Sequence, residues 1–308
     1  MKNKIPSTLF GMMLLFLSSA MMSVAQQDIR KTFSGIDKLE MEVGAIEVSY
    51  TGSPNTSEIN LHAMLGENEN TDKSLIMVTV GNTLKISYRP PSEQNRGTSK
   101  RFIELKGPES IELKIKNSSG LLAVSGVKSQ QSQLTVTSGN LRAKDMSGNL
   151  QLKGTSGKVT ASNITGDITF TMTSGIAEID QIDGDVDFSS TSGMLRANNI
   201  SGRLNAKLTS GTMRLDNIGE LGQLSVTSGN IRAKNAGLGS GTSLQGSSGN
   251  IDITTQSQLE AFNYDIKAGS GSVRVGDQSK PKFLNIQNGA QHTIKGNIGS
   301  GSIQIKDL

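Results

Sequence analysis

The sequence predicts an all-β protein, a single-domain parallel β-solenoid (a right-handed β-helix) with coils of about 18 residues. Three observations carry this. Thr-Ser-Gly recurs at Gly139, Gly157, Gly175, Gly193, Gly211 and Gly229, each eighteen residues from the last, with a second glycine midway at Gly148, Gly166, Gly184 and Gly202. Counting from each glycine, positions +2 and +4 are apolar (Leu141 and Ala143, Leu150 and Leu152, Val159 and Ala161, Ile168 and Phe170) while +3 is polar (Arg142, Gln151, Thr160, Thr169). Composition agrees: aromatics make up 4% of the chain, Trp is absent and Gly reaches 35 residues, which suits thin layers filled by aliphatic side chains better than a core of large rings. A fixed period takes precedence over any local motif, because it assigns the whole fold at once.

Taken in order, residues 1–25 read as a cleaved signal peptide. Lys2 and Lys4 supply the positive start, Thr8 to Met22 the apolar segment, and Ser23-Val24-Ala25 the small residues before the cut. The apolar run falls short of the roughly 20 residues a spanning helix needs, so no transmembrane segment is expected after cleavage. Removing it deletes two lysines and no acid, leaving 29 basic against 27 acidic residues, a balance that gives no reason to expect nucleic acid as a partner.

Residues 26–117 form an irregular strand region and cap. Leu39, Met41 and Val43, then Ile46 and Val48, alternate on either side of Gly44, as in two half-buried strands around a bend. Strands are expected at Ile59 to Met64, Leu75 to Val80, Leu84 to Tyr88, Phe102 to Leu105 and Ile111 to Ile115, with a surface loop from Pro90 to Lys100. Residues 118–255 are the regular array. There each nine-residue unit is one short strand and one glycine turn, and two units make a coil. After Gly229 the spacing loosens to Gly249, Gly271 and Gly301. Residues 256–308 therefore read as irregular coils and a cap, continuing with inserted loops at Thr254 to Tyr264 and Gly276 to Thr293.

A flat meander of hairpins would pair adjacent nines, whereas identity between like positions lies eighteen apart. Stacking coil on coil at about 4.8 Å puts like on like. It aligns Asn163, Gln181, Asn199, Asn217 and Asn235 in one column, where side-chain amides can bond to the coils on either side, and the glycines become corners with positive φ.

Candidate chemistry is sparse. With no Cys and only His62 and His292, neither disulfides, thiolate metal sites nor a His-based metal centre is expected, and no cofactor is implied. The acidic run Glu178, Asp180, Asp183, Asp185 and Asp187 lacks the Gly-Gly-x-Gly-x-Asp turns of calcium-binding rolls and reads mainly as a solvated face, with Asp183, Asp185 and Asp187 as candidate ligand-binding residues where the period is broken. Paired acids also serve polysaccharide hydrolases and lyases, but the sugar-stacking aromatics such a cleft needs are missing, since Phe170 and Phe188 fall at inward positions. Arg196, Arg214 and Arg232 share the outward +3 column; three like charges in a row suit an anionic glycan, unless Asp180, Asp216 and Asp252 nearby compensate them. Thr169, Thr171 and Thr173 alternate as on ice-binding surfaces, yet their column neighbours are Gln151, Asp187 and Asn205.

The Phe-Ser-Gly-Ile start at Phe33, the Thr-Ser-Gly coils and the terminal Gly-Ser-Gly-Ser-Ile-Gln-Ile resemble the uncharacterised β-strand-repeat proteins of bacterial envelopes, and are similar to the proposed auto-transporter adhesin head (GIN domain) family common among Bacteroidetes. The resemblance implies a non-enzymatic, exported β-helical protein of the periplasm or outer surface of a Gram-negative bacterium, with an adhesive or scaffolding role toward a glycan, an envelope component or a protein. It carries no catalytic residues over to this chain. A carbohydrate-active enzyme using the Asp183, Asp185 and Asp187 coil, and a purely structural periplasmic protein, are the alternative readings.

Overall fold

A computed structural model describes residues 27–66, 74–89 and 100–308. The expected signal peptide, and the expected loop from Pro90 up to residue 99, lie outside the described residues. The fold is all-β. Its strands are β1 (Gln27–Ser34), β2 (Lys38–Ala45), β3 (Glu47–Ser53), β4 (Glu58–Leu65), β5 (Leu75–Val80), β6 (Thr83–Tyr88), β7 (Phe102–Pro108), β8 (Glu112–Ser125), β9 (Lys128–Thr165), β10 (Ile168–Met172), β11 (Ile176–Asp183), β12 (Val186–Thr255), β13 (Asn263–Val275), β14 (Gln278–Ile286) and β15 (Thr293–Asp307). The long β9 and β12 are extended chain that runs on through the glycine corners. The expected N-terminal strands fall where the apolar alternation put them, and the expected loop at Thr254 to Tyr264 holds a 3-10 turn, Leu259–Ala261.

One sheet system joins the strands in the order β1-β4-β7-β3-β8-β9-β10-β12-β15-β13-β14, with β2, β5, β6 and β11 branching off this path. In the array, pairing is parallel and offset by eighteen: Ile168 meets Leu150 on one side and Val186 on the other, and Ala177 meets Val159 and Leu195. Parallel strands this close in sequence can pair only if the chain travels around and back between them. At the N-terminal end β2 and β3 lie on β8, and beyond them the stack divides. β6 and β5 continue over β2, while β7, β4 and β1 continue over β3.

The corners explain the glycines. Gly193 has φ +119°, and a Cβ there would overlap the carbonyl oxygen of Gly175; the same relation repeats from Gly157 through Gly249. Gly202 differs. Its φ is not in the left-handed region, so the expectation that positive φ accounts for every glycine is corrected here. It is glycine because a Cβ would collide with Asp185 and the carbonyl of Gly184. The amide column is also left-handed: Asp145, Asn163, Gln181, Asn199, Asn217 and Asn235 all have φ between 47° and 57°, a conformation that Asn and Asp tolerate better than other side chains. Asn217 Nδ2 donates to Asn199 Oδ1 (2.8 Å), Asn235 to Asn217 (3.1 Å) and Asn163 to Asp145 (2.6 Å).

Inside, apolar residues from Ile36 to Ile305 form one continuous core. Phe170 and Phe188 stack edge to face at 5.4 Å in neighbouring layers, fully enclosed, where they fill space that small residues such as Ala161 and Ala197 leave. Burial pushes the Tyr50 phenol above its ordinary pKa, and its hydroxyl donates to the Pro108 carbonyl at 2.8 Å.

The C-terminal strands do not pair in chain order. β15 lies between β12 and β13: Ile251 pairs with Ile303, which pairs with Val273, so the corner column runs Gly249, Gly301, Gly271. The expected loop at Gly276 to Thr293 contains β14, which covers β13 antiparallel. This order closes the gap with parallel ladders on both sides of β15.

Gly193→Ala is expected to lower stability by more than about 3 kcal/mol, since strain and overlap coincide, whereas Gly35→Ala, at φ +68° with open space around it, costs about 1–2 kcal/mol. Urea unfolding of the two variants measures the difference.

Candidate ligand-binding face

On the outward side of the strands that follow each Thr-Ser-Gly corner, +3 residues of successive turns lie about 4.8 Å apart. Glu178 pairs with Arg196 in register, and Arg196 Nη1 donates to Glu178 Oε1 at 3.0 Å. Lys158 reaches the other oxygen of the same carboxylate at 2.7 Å. Sequence reasoning missed Lys158, because it belongs to the +1 column and reaches Glu178 diagonally. The Lys158 hydrogen bond, ahead of that from Arg196, holds the Glu178 carboxyl below the usual carboxylate range.

Arg214 and Arg232 differ from Arg196. Both are exposed, and among the described residues neither makes an ion pair within 4 Å; Lys234, two positions beyond Arg232, is also exposed and unpaired. With Asn198, Leu215 and Asp216 they line a shallow depression of about 460 Å³. The three acids that could have compensated the arginines do not pair with them: Asp180 accepts from Asn199 Nδ2 at 3.0 Å, and neither Asp216 nor Asp252 forms an ion pair among the described residues. The result is two stacked arginines, with a lysine two positions along the strand from Arg232, whose guanidinium and ammonium donors face solvent.

The acidic run is dispersed around the coil, and its members act as rungs. Asp183 accepts from Ser201 Oγ (2.8 Å), Asp185 from the Arg203 amide (2.7 Å) and Asp187 from Asn205 Nδ2 (2.9 Å), each one turn on. Asp167 does the same for the Asp185 amide at 2.9 Å. Each carboxylate thus bonds to the turn stacked on its own. Among the described residues no three His, Asp or Glu side chains converge as a metal site would require. The Ser and Asn positions read as ladders behave alike, with Ser138 and Ser156 in contact at 3.3 Å.

The family model described as Toastrack DUF4097 matches residues 36–306. The chain belongs to the Toastrack DUF4097 family. No curated protein matches this Toastrack chain. Among solved structures, one named as a candidate adhesin from Bacteroides fragilis NCTC 9343 is 14% identical, covering 92% of this chain and 99% of its own at a TM-score of 0.46. A candidate lipid-binding protein from Parabacteroides distasonis ATCC 8503 is 11% identical over 90% of this chain and 96% of its own, with a TM-score of 0.26. A candidate adhesin from the same organism is 12% identical over 92% and 98%, also at 0.26. Likeness at this level assigns no ligand to the Toastrack chain.

Because the folded-state pKa of Glu178 lies below its unfolded value, the cluster stabilises the fold above that unfolded value, near 4.5, and the contribution is lost as pH falls through the folded value. Glu178→Gln should therefore melt earlier than wild type at pH 7, with the gap narrowing as pH falls below about 4.5; thermal scans at pH 7 and across the acid range read it.

Proposed function

We propose that this protein is an exported, non-enzymatic binding protein of the cell envelope that holds an anionic glycan along the Arg196, Arg214 and Arg232 row. In this reading the eighteen-residue turns form one right-handed parallel β-solenoid, preceded by a cleaved signal peptide and closed by irregular strands at both ends. The observation that carries it is the solvent-facing group of Arg214, Arg232 and Lys234, none of which forms an ion pair within 4 Å among the described residues. Like charges on adjacent strands destabilise a sheet, so an uncompensated row is a cost to the fold unless an anion meets it. A repeat near 4.8 Å along the row matches a polymer bearing carboxylates or sulfates at close intervals better than one small anion. Arginine forks suit such groups, since each can donate two parallel hydrogen bonds.

The acidic coil takes no part in binding in this reading. Asp183, Asp185 and Asp187 each already accept a bond from the next turn. Among the described residues no helix is long and apolar enough to cross a membrane.

Binding is tested by calorimetry with heparin and polygalacturonate as the anionic polymers and dextran as the neutral one. The expected result is binding to an anionic polymer and none to dextran, weakened by salt, and reduced about tenfold or more in Arg214→Ala/Arg232→Ala. Asp183→Asn/Asp185→Asn/Asp187→Asn should lower the melting temperature while leaving affinity within about twofold. Binding that persists unchanged in the double arginine variant sinks the assignment of the face, and so does equal binding to dextran.

A further inference from the structure

Among the described residues the sheet system has three edge strands, β1 and β5 at one end and β14 at the other. Edges offer unpaired backbone groups to other chains, and proteins that stay monomeric blunt them with charge, proline or irregular geometry. Two of the three are blunted. β1 carries Asp28, Arg30 and Lys31, with Arg30 and His62 both on Asp28 at 3.3 and 3.0 Å. β14 carries Lys280, Pro281 and Lys282, has Lys282 at φ +64°, and shifts register against β13 between Lys267 and Ser272. β5 reads Leu-Ile-Met-Val-Thr-Val, with no charge, proline or glycine.

The outer face of β5 is apolar as well. Ile76, Val78 and Val80 are 50%, 49% and 59% exposed, among the few large apolar side chains left open to solvent. Behind them on the same face lie Lys85, Glu40, Glu42, Lys114 and Lys116, which with Ile76 and Val78 enclose a depression of about 440 Å³. Those charges are of both signs and partly matched, Glu40 lying 3.3 Å from Lys85 and 3.6 Å from Lys38, so they do not single out an ionic ligand. What the described residues leave uncovered is the aliphatic strip and the free edge.

The ladder between β5 and β6 fixes which backbone groups are free. Arg89 N donates to Ser74 O at 2.9 Å, which places hydrogen-bonded pairs at alternate residues: Ser74, Ile76, Val78 and Val80. The N–H and C=O of Leu75, Met77 and Thr79 therefore point away from β6. We propose that β5 pairs antiparallel with β5 of a second copy of this chain, about a two-fold axis at Met77. Leu75 then lies opposite Thr79 of the second copy and Met77 opposite its counterpart, so all three free residues are used. On the outer face Ile76 lies beside Val78 of the second copy, so the two aliphatic strips abut as cross-strand neighbours. The register is self-complementary, as a two-fold contact requires, and the uncharged strand sets no like charges against each other. A pair of six-residue strands buries less than the roughly 1,200 Å² of a stable interface, so the dimer is weak and reversible.

The chain has no cysteine, which makes cross-linking unambiguous. Sedimentation equilibrium of wild type should show a monomer–dimer equilibrium below about 500 µM, weakened at least about tenfold in Val78→Lys and in Thr79→Pro, with unchanged melting curves showing that both variants fold. On mild oxidation Met77→Cys should give a covalent dimer, because opposed hydrogen-bonded residues sit about 5.5 Å apart at Cα, while Ser279→Cys on β14 should not. The proposal is overturned by a wild type that stays monomeric throughout that range, by a dimer indifferent to both β5 variants, or by equal cross-linking through β14. A monomer that binds phosphatidylglycerol vesicles through β5 also overturns it, and gives the strip to a membrane.

Discussion

The structure depends on how closely one corner approaches the next. At each Thr-Ser-Gly turn the carbonyl oxygen of one glycine occupies the space where a side chain of the next would begin, and the column runs unbroken through Gly139, Gly157, Gly175, Gly193, Gly211, Gly229 and Gly249. The backbone ladders fix the spacing of the layers, and glycine lets the corners follow at that interval. Everything else is arranged at the same interval: the amide column at the other corner and the flat aliphatic layers between. A larger residue at one corner would wedge two layers apart, and because the ladders are continuous the displacement would spread to the neighbouring strands.

The periodic part of this arrangement was legible because repetition turns one local rule into many confirmations. Alternation of Val159 and Ala161, or of Ile168 and Phe170, says which side is buried, and the eighteen-residue identity of like positions agrees with the pairing offsets. The sequence was less informative where two segments carry the same pattern. Gly-Ser-Gly-Ser-Val-Arg-Val and Gly-Ser-Gly-Ser-Ile-Gln-Ile are equivalent by hydrophobic pattern, so nothing local says that the second lies inside the first. Asn163 and its column were recognisable as a ladder, but their left-handed backbone, which explains why Asp145 begins the column, follows from the corner geometry.

For the candidate site, the sequence located the arginine row but not its electrostatics. Compensation depends on which acids come within reach, and that depends on side-chain direction rather than on nearness in sequence. Asp180 is spoken for by Asn199, whereas Glu178, one strand from Arg196, gathers two cations and so separates Arg196 from its neighbours. The same column therefore divides into a neutralised end and an open one. Asn117 is a comparable case in the interior: its amide nitrogen donates to the Ile46 carbonyl at 3.0 Å beside the Gly44 bend, while its side-chain oxygen has no partner among the described residues.

The position of β15 has a consequence for how the molecule is made. Most of the stack can form in the order in which the chain is synthesised, each turn settling on the one before. The last part cannot. β13 and β14 precede β15 in the chain, yet among the described residues they join the rest of the sheet only through it. A nascent or translocating chain that has delivered Val275 and Ile286 holds a hairpin with nowhere to dock, and the end of β12 stays open until Thr293 to Asp307 arrive. Closure is thus a late event made of contacts distant in sequence, the kind that slow folding, and the fifteen residues of β15 act as the keystone of that end.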